Sequence, residues 1–288
     1  MKKTCEGENV LLEFFTWGEY VRQAESAPSP LSTEQRASRR HGGGHGDGWA
    51  GTDTFEEALE LAHSGDVKQF KTIEKEARLL LDSLSANIER QDTIYDVEGR
   101  NIDIARFVDN EPECWMDFTP TSKKSIVEVT VCIGGNCSVT AETLRRKGMA
   151  SMILVQLLEL NGYRVGVTIA ETTQRSDAEF VTLARVKEPN QPMDGPRLAF
   201  AICHPASFRR LWFSIAETLT ADECKRWGIR NDGGYGCSVE IPKKYRGKVY
   251  IGPAEGAIHV ETDKDMKEWV LQQAEKCGVK IKRRLAKT

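Results

Sequence analysis

The residues best placed to bind a ligand follow the most β-branched stretch of the sequence. Gly134 and Gly135 end the segment 126–133, and the oxygen-bearing side chains of Asn136 and Ser138 come soon afterwards. Such side chains at a turn can ligate a hard cation or hydrogen-bond a partner. Magnesium usually also requires a carboxylate or phosphate, so these residues favour a partner contact over a metal site. A structural alternative explains them equally well: the glycines permit close packing, Asn136 satisfies the turn and Ser138 caps a helix.

Three known motifs of strand-to-helix turns fit this stretch poorly. A P-loop needs a lysine that is missing here, and a dinucleotide fingerprint needs three glycines where only Gly134 and Gly135 occur, although Glu171 follows the next predicted strand. A hydrolase elbow needs a central serine, whereas the sequence has Cys137 and lacks the last glycine. Cys137 with His204 as its base stays open as a nucleophilic pair. Because no coherent set of titratable groups is visible, an enzyme, including a metal-dependent one, is the least favoured function.

The surrounding sequence predicts a β-α-β unit that holds this turn at the rim of a sheet. Segment 126–133 is dense in β-branched residues and alternates, which is typical of a buried strand. A helix follows, capped by Ser138 or Thr140 and ended at Gly162, and 164–169 is the next predicted strand. Such a unit implies a parallel sheet, which binds ligands at the carboxyl ends of its strands. We therefore expect an α/β fold with a mainly parallel central sheet flanked by helices.

The sequence predicts two parts of the chain, with the boundary after residue 92. Residues 1–92 are expected to form an N-terminal extension, and residues 93–288 the α/β domain with flanking strands. Within the extension, 26–51 is rich in glycine, serine and proline and has little to bury, which predicts a loop or mobile arm. A helical hairpin is expected over 52–90. The short apolar cluster at 10–15 is expected to lie on the main domain as a strand or a helix.

The turn and its neighbours resemble von Willebrand factor A-type domains. In that family a D-x-S-x-S turn after a hydrophobic strand binds a divalent cation, and Gly134, Asn136 and Ser138 occupy those three positions. The stretch VYIGPAEG resembles the strand and acidic turn that supply a further ligand, which makes Glu255 its counterpart. Glycine in place of the aspartate implies a degenerate metal site, with magnesium only weakly indicated through Asn136, Ser138 and Glu255. The resemblance covers residues 126–277 and implies a platform for a protein partner.

The resemblance implies that the partner-binding surface is the rim of the sheet. If the strands are ordered as in von Willebrand factor A-type domains, Thr172 and Thr173 lie near the turn. A second resemblance, of WAGTDTFEEAL at 49–59 to proteins of tailed phages and mobile elements, implies an accessory role in phage takeover, transcription or replication. We therefore favour a non-enzymatic adaptor that binds a macromolecular partner. The expected surface comprises Gly134, Gly135, Asn136, Ser138, Thr172, Thr173 and Glu255.

Short basic runs support a second hypothesis, nucleic-acid binding. The net charge is -3 and the pI about 6.1, so any contact with single-stranded DNA or RNA has to be local. Tyr245 within a basic run can stack on a base. Solvated faces are the more common explanation of such runs. The candidates are Arg145, Arg146, Lys147, Lys243, Lys244, Tyr245, Arg246, Lys248, Arg283 and Arg284.

Composition also predicts the compartment. No apolar run approaches the roughly 18 residues of a membrane span, and Glu6 and Glu8 stand where a signal peptide needs apolar residues. The eight cysteines form no C-x-x-C pair, which favours reduced thiols. We expect a cytoplasmic protein of undetermined oligomeric state.

Overall fold

The computed structural model describes residues 1–41, 48–75, 93–98, 101–102, 106, 108, 111–118, 125–229, 235, 238–253 and 262–280. The strands are β1 (Lys2–Glu6), β2 (Asn9–Phe14), β3 (Thr93–Asp96), β4 (Asn101–Ile102), β5 (Trp115–Phe118), β6 (Ile126–Cys132), β7 (Arg164–Arg175), β8 (Ala178–Lys187) and β9 (Val249–Ile251). The helices are α1 (Trp17–Ser26), α2 (Phe55–Ser64), α3 (Ala141–Leu160), α4 (Gly195–Leu198), α5 (Phe213–Ala216), α6 (Ala221–Trp227) and α7 (Asp263–Cys277). Two π-helical segments, Ala199–Cys203 and Ser207–Trp212, and the 3-10 turns Thr33–Gln35, Ala37–Arg39 and Lys243–Tyr245 lie between them.

A six-stranded sheet with the order β1-β2-β8-β7-β6-β9 forms the centre of the fold. The pairings β2/β8, β6/β7 and β6/β9 are parallel, whereas β1/β2 and β7/β8 are antiparallel. Helices flank this sheet, so the predicted α/β class with a mainly parallel sheet is confirmed. Strands β3, β4 and β5 form a separate antiparallel sheet of three strands.

The predicted β-α-β unit is present as β6, α3 and β7. Val127, Val129 and Val131 are fully buried in the main core, as expected for a strand with neighbours on both sides. Thr140 is the N-cap of α3, and its Oγ1 accepts a hydrogen bond from the backbone N–H of Thr143 at 3.1 Å. Local periodicity and caps were therefore sufficient to locate this unit.

The N-terminal residues belong to the central sheet, which corrects the predicted extension over 1–92. Strand β2 pairs in parallel with β8, although the two are separated by more than half of the chain. Val10, Leu12 and Phe14 alternate along β2 and lie in the main core. Helix α1 follows and buries Tyr20 and Val21 in the same core. Burial of this alternating face makes β2 a structural strand rather than a segment laid on the domain. Of the predicted hairpin over 52–90, α2 and a helical stretch at 67–75 are described, and the remainder lies outside the described residues.

The described part of the predicted mobile arm is held by buried charged side chains. Arg210 is fully buried and donates hydrogen bonds to four backbone carbonyls, those of Ser38 (2.8 Å), Arg40 (2.6 Å), Thr52 (2.7 Å) and Asp53 (2.9 Å). Because this region has little regular secondary structure, its backbone carbonyls need other donors, and Arg210 supplies them. This part contains the 3-10 turns Thr33–Gln35 and Ala37–Arg39, and Arg210 anchors it to the helical face, a contact that the composition of the arm did not indicate.

A carboxylate completes the anchor of the arm. Glu217 is fully buried, and it accepts hydrogen bonds from the Arg36 Nε and the Ser38 N–H, both at 2.9 Å. The neighbouring Arg209 donates to the Trp49 carbonyl at 2.7 Å and lies over the Trp49 ring. Burial lowers the pKa of Arg209 to about 10, which still leaves it charged at neutral pH.

The two faces of the sheet differ in how they are covered. The valines of β6 face the helices, whereas Cys132, on the opposite face by strand alternation, belongs to a small apolar cluster. That cluster also contains Ala170, Val181, Leu183 and Ile241. Most of the buried side chains lie on the helical face, and the second face carries polar residues beside the small cluster.

Candidate functional site

The glycine turn after β6 is shaped by a buried carboxylate beneath it. Gly134 and Gly135 are both buried, and a Cβ atom at Gly134 would lie only 1.9 Å from Glu171 Oε2. A side chain at this position would therefore displace Glu171. Above it, Asn136 Oδ1 accepts hydrogen bonds from the Ser138 N–H (2.9 Å) and Oγ (2.5 Å). This oxygen is already engaged within its own turn, which supports the structural interpretation of Asn136.

The structure does not bring the predicted rim residues to one exposed surface. Ser138 is exposed and Asn136 half-buried, but Thr172 and Thr173 are fully buried on β7. The backbone N–H of Val239 donates to the Thr172 carbonyl, and Thr173 pairs with Ser238. The backbone of both threonines is thus paired with the segment 238–239. Glu255 lies outside the described residues.

The described residues do not fit a magnesium site at this turn. No group of three or more histidine, cysteine, aspartate or glutamate side chains in the described ranges is placed to hold a metal ion. The nearest carboxylate, Glu171, accepts a hydrogen bond from Ser238 Oγ at 2.5 Å and contacts the Cys132 thiol at 3.4 Å. With Asn136 Oδ1 also engaged, the described residues at this turn offer magnesium neither a free amide oxygen nor a free carboxylate.

A buried set of titratable groups lies at the carboxyl ends of β6 and β9, beside Glu171 of β7. Lys147 is only 3% exposed, and its ammonium donates to the Cys132 carbonyl at 2.5 Å and the Gly252 carbonyl at 3.2 Å. Burial, assisted by the charge of Glu171, raises the pKa of the Cys132 thiol well above its usual value. Cys132 is therefore a neutral thiol and not a nucleophile at physiological pH. These groups hold the strand ends together.

Cys137 and His204 are not joined as a nucleophile and base. The Cys137 thiol is exposed, and among the described residues no hydrogen bond connects it to His204. Instead, His204 Nδ1 accepts a hydrogen bond from the Ala206 N–H at 3.1 Å, and its ring stacks on Phe200. Burial lowers the pKa of His204 to about 4, so the ring is neutral at physiological pH. The histidine acts as a structural residue.

The basic residues of α3 do not form a free cationic surface. Lys147 is buried against carbonyl groups, which corrects its place among the nucleic-acid candidates. Arg145 donates to the Glu142 carboxylate at 2.8 Å, and Arg146 donates to Asp263 at 3.0 Å. Amphipathic spacing alone could not reveal that Lys147 points inward.

The basic run near β9 is also matched by carboxylates. Lys244 pairs with Glu6 at 3.0 Å, and Arg246 pairs with Glu240 at 2.9 Å. Tyr245 is half-buried, with the Lys244 ammonium 4.9 Å from its ring centre. Lys243 and Lys248 are exposed, whereas Arg283 and Arg284 lie outside the described residues.

A groove of about 470 Å³ lies on the second face of the sheet, beside this basic run. We call it the sheet-face groove and define it by six lining residues: Glu13, Phe15, Glu128, Arg185, Glu188 and Tyr245. Its floor contains Thr130, Thr168 and Leu183. Cavities of this size commonly hold small molecules, and a few side chains of a partner occupy a similar volume. Strands β2, β6, β7 and β8 and the turn at Lys243–Tyr245 supply its lining.

One guanidinium, that of Arg185, contacts two carboxylates in the sheet-face groove. Arg185 Nη1 donates to Glu128 Oε2 at 2.5 Å, and its Nε lies 3.8 Å from Glu188. Gly166 makes this pair possible, because a Cβ atom there would lie 2.5 Å from the Glu128 carboxylate and 2.6 Å from Arg185. Within the described residues, the half-buried Glu13 carboxylate has no hydrogen bond or ion pair. The groove is lined by three carboxylates, Glu13, Glu128 and Glu188, and by three cations, Arg185, Lys244 and Arg246.

The sequence signal for this groove is a charged residue within each of three apolar strands. Glu13, Glu128 and Arg185 each interrupt an apolar strand, in VLLEFF, IVEVTV and TLARVK. A charged residue between buried strand residues must face either a partner or solvent on the other side of the sheet. Only the register of the strands shows that these three residues share one groove.

The fold and this groove define an α/β protein with a charged, ligand-sized depression on one face of its sheet. The chain belongs to a family described as Domain of unknown function (DUF7192), whose model matches residues 2–281. Neither curated proteins nor solved structures gave a match to the chain. Within the described ranges, no helix has the length and apolar character needed to cross a membrane.

Proposed function

We propose that the protein is a binding module that holds a protein partner in the sheet-face groove. The observation that carries this proposal is the groove itself, in which unpaired charge lies next to an exposed aromatic ring. The Glu13 carboxylate makes no hydrogen bond or close ion pair within the described part of the chain, and the Phe15 side chain is 51% exposed. Exposed aromatic residues beside a polar rim are typical of protein-binding surfaces.

Two observations favour a binding module over the other functions considered. The titratable groups nearest to a catalytic set, Cys132, Lys147 and Glu171, are buried and bonded to one another or to the backbone. The cations of the nucleic-acid alternative, such as Lys244 and Arg246, are paired with carboxylates. A phosphate backbone would have to displace these carboxylates, which costs part of the binding energy.

The turn at Asn136 and Ser138 provides a smaller second contact surface in this proposal. Ser138 and Cys137 are exposed there, and the Trp49 ring donates to the Cys137 carbonyl at 3.0 Å. The likeness to von Willebrand factor A-type domains and the phage-encoded accessory role stay predictions from the sequence. Both are compatible with a protein that holds a partner without chemistry.

Blocking the groove with a large side chain tests the proposal. Thr168 lies on the groove floor, so Thr168→Tyr fills the space without changing charge and keeps a residue suited to a strand. Gln174→Tyr, at an exposed position of the same strand β7, is the matched control. Each tagged full-length variant is incubated with extract of the native host, with and without nuclease, and bound proteins are identified.

We expect the wild type and Gln174→Tyr to capture the same nuclease-resistant protein and Thr168→Tyr to lose it. Equal capture by Thr168→Tyr would contradict a role for the groove. Loss of all capture after nuclease treatment would instead favour the nucleic-acid alternative. Circular dichroism checks that both variants are folded.

A further inference from the structure

We propose that the outer edge of β1 pairs with the β1 edge of a second copy of the chain, so that the two six-stranded sheets join edge to edge. The two strands would run antiparallel about a twofold axis at Thr4. This inference goes beyond the proposed function, because it concerns the edge of the sheet and not the groove on its face.

The outer edge of β1 is open in the described part of the chain. The strand stands at the end of the strand order, and its partner there is β2. Thr4 is half-buried, and the other four residues of the strand are exposed. An edge strand presents a row of backbone N–H and C=O groups that can pair with another strand. The edge can therefore accept a strand without displacing a described segment.

Side chains on both faces of the sheet hold β1 in place. The Lys3 ammonium donates a hydrogen bond to the Glu223 carboxylate at 3.2 Å, and the Lys244 ammonium donates to Glu6 at 3.0 Å. Lys3 and Glu6 are an odd number of residues apart, so their side chains leave the strand on opposite faces. Because the strand is already ordered from both sides, pairing at its edge costs little conformational entropy.

The symmetry of such a dimer limits the register of the two strands. A twofold axis perpendicular to the sheet keeps the helical faces of both copies on the same side, so the axis passes beside a residue and not between two. An axis at Lys3 would place two ammonium groups opposite each other, and an axis at Cys5 would pair only residues 4–6. An axis at Thr4 pairs the whole strand, with Lys2 opposite Glu6 and Lys3 opposite Cys5 of the second copy.

This register continues an alternation of charge on the second face of the sheet. Within one copy, Lys2 lies opposite Glu13 in the β1/β2 pair. Across the axis, Lys2 would lie opposite Glu6 of the second copy, which in turn is paired with Lys244 of that copy. Opposite charges on neighbouring strands stabilise their pairing, whereas like charges destabilise it. The charges of β1 thus complement a second β1.

The same charges disfavour other strands and larger assemblies. Lysine on an edge strand usually prevents pairing with an unrelated strand, and Lys2 and Lys3 have this effect unless the partner presents matching residues. The twofold arrangement uses the β1 edge of each copy once, so it closes at the dimer. Because the contact involves one short strand from each copy, we expect a reversible dimer with a dissociation constant in the micromolar range.

Charge reversal tests the register. Lys2→Glu and Glu6→Lys each place like charges opposite one another across the axis. The double variant, and an equimolar mixture of the two single variants, place opposite charges there again. Glu74→Lys, at an exposed position outside β1, is the control. Sedimentation velocity over a range of micromolar concentrations measures the dissociation constant of each full-length protein, and thermal melting checks that each is folded.

We expect the wild type and Glu74→Lys to form dimers with similar dissociation constants. Each single variant should raise this constant by about tenfold, because two symmetry-related pairs change from attraction to repulsion. The double variant and the mixture should regain most of this loss. Neither of them restores the contacts with Glu13 and Lys244 inside each chain, so the recovery must come from pairing across the axis.

Three results would overturn the proposal. The first is a wild type that stays monomeric throughout the concentration range. The second is a dimer that the single variants do not weaken, because such a dimer uses another surface. The third is a loss of dimer in the single variants that neither the double variant nor the mixture reverses, because the changed charges would then act within one chain.

Discussion

Replacement of Arg210 by methionine should destabilise the protein more than any single exposed substitution. The guanidinium donates four hydrogen bonds, at 2.6 to 2.9 Å, to carbonyl groups of Ser38 and Arg40 in the arm and of Thr52 and Asp53 directly after it. Methionine has a similar length and no donor, so all four carbonyls lose their partner. The change therefore tests whether the arm is part of the folded core or only lies on it.

The size of the effect follows from the number and kind of these bonds. A hydrogen bond to a charged group contributes about 1.5 to 3 kcal/mol, so independent loss of four would approach the whole stability of a typical domain. The loss is smaller in practice because Arg40 and Asp53 are exposed and their carbonyls can be hydrated. We expect Arg210→Met to lower the free energy of unfolding by about 3 to 5 kcal/mol, as for other broken buried charged networks. Arg210→Lys keeps the charge but cannot reach four carbonyls, so we expect about half of this loss.

Urea unfolding followed by circular dichroism measures this free energy. Arg145→Met is the control, because Arg145 makes an exposed ion pair with Glu142 that contributes about 0.5 kcal/mol or less. Limited proteolysis provides a local readout, and Arg210→Met should be cleaved faster within residues 36–53. A loss of stability below about 1 kcal/mol, with unchanged cleavage of the arm, would refute the reasoning that these bonds anchor it.

Three further predictions concern pH, packing and metal. Burial lowers the pKa of His204 to about 4, so as pH falls below about 6.5 the unfolded chain binds a proton before the folded chain does. The free energy of unfolding should therefore decrease as pH falls from about 6.5 to about 4. Urea titrations should show a weaker pH dependence of this free energy for His204→Gln. Gly166→Ala places a methyl group 2.5 Å from the Glu128 carboxylate and should cost about 1 to 3 kcal/mol, visible as a lower Tm, whereas an unchanged Tm would mean that the ion pair moves freely. Millimolar magnesium should leave the Tm unchanged because Asn136 Oδ1 is engaged in its own turn, and a rise in Tm that Asn136→Ala abolishes would contradict this.

The part of the fold that depends on local sequence could be predicted. Strand β6, helix α3 and strand β7 follow from β-branched density, an N-cap at Thr140 and a stop at Gly162, which adopts a positive φ of 81°. The pairing of β2 with β8 could not be predicted in this way, because it joins distant parts of the chain through register alone. For the same reason the N-terminal residues were wrongly separated from the sheet.

The candidate site was harder to predict than the fold because composition does not show where a side chain points. The arm at 26–51 looked mobile, but its anchors Arg210 and Glu217 lie more than 150 residues further along the chain. Lys147 looked like part of a basic patch, although it is buried against two carbonyls. Glu13 is part of no known sequence motif. Its place in the sheet-face groove depends on the residues that other strands put beside it.

The distribution of paired and unpaired charge decides where binding can occur in this molecule. On the helical side, the cations Lys147, Arg209 and Arg210 are bound to backbone carbonyls, and a ligand would have to break those bonds to use them. On the second face of the sheet, Glu13 lies opposite Lys2 in the β1/β2 pair and makes no hydrogen bond with any described residue. A partner can contact Glu13 and the exposed Phe15 ring there without breaking a buried hydrogen bond, so the sheet-face groove is the more favourable place to bind.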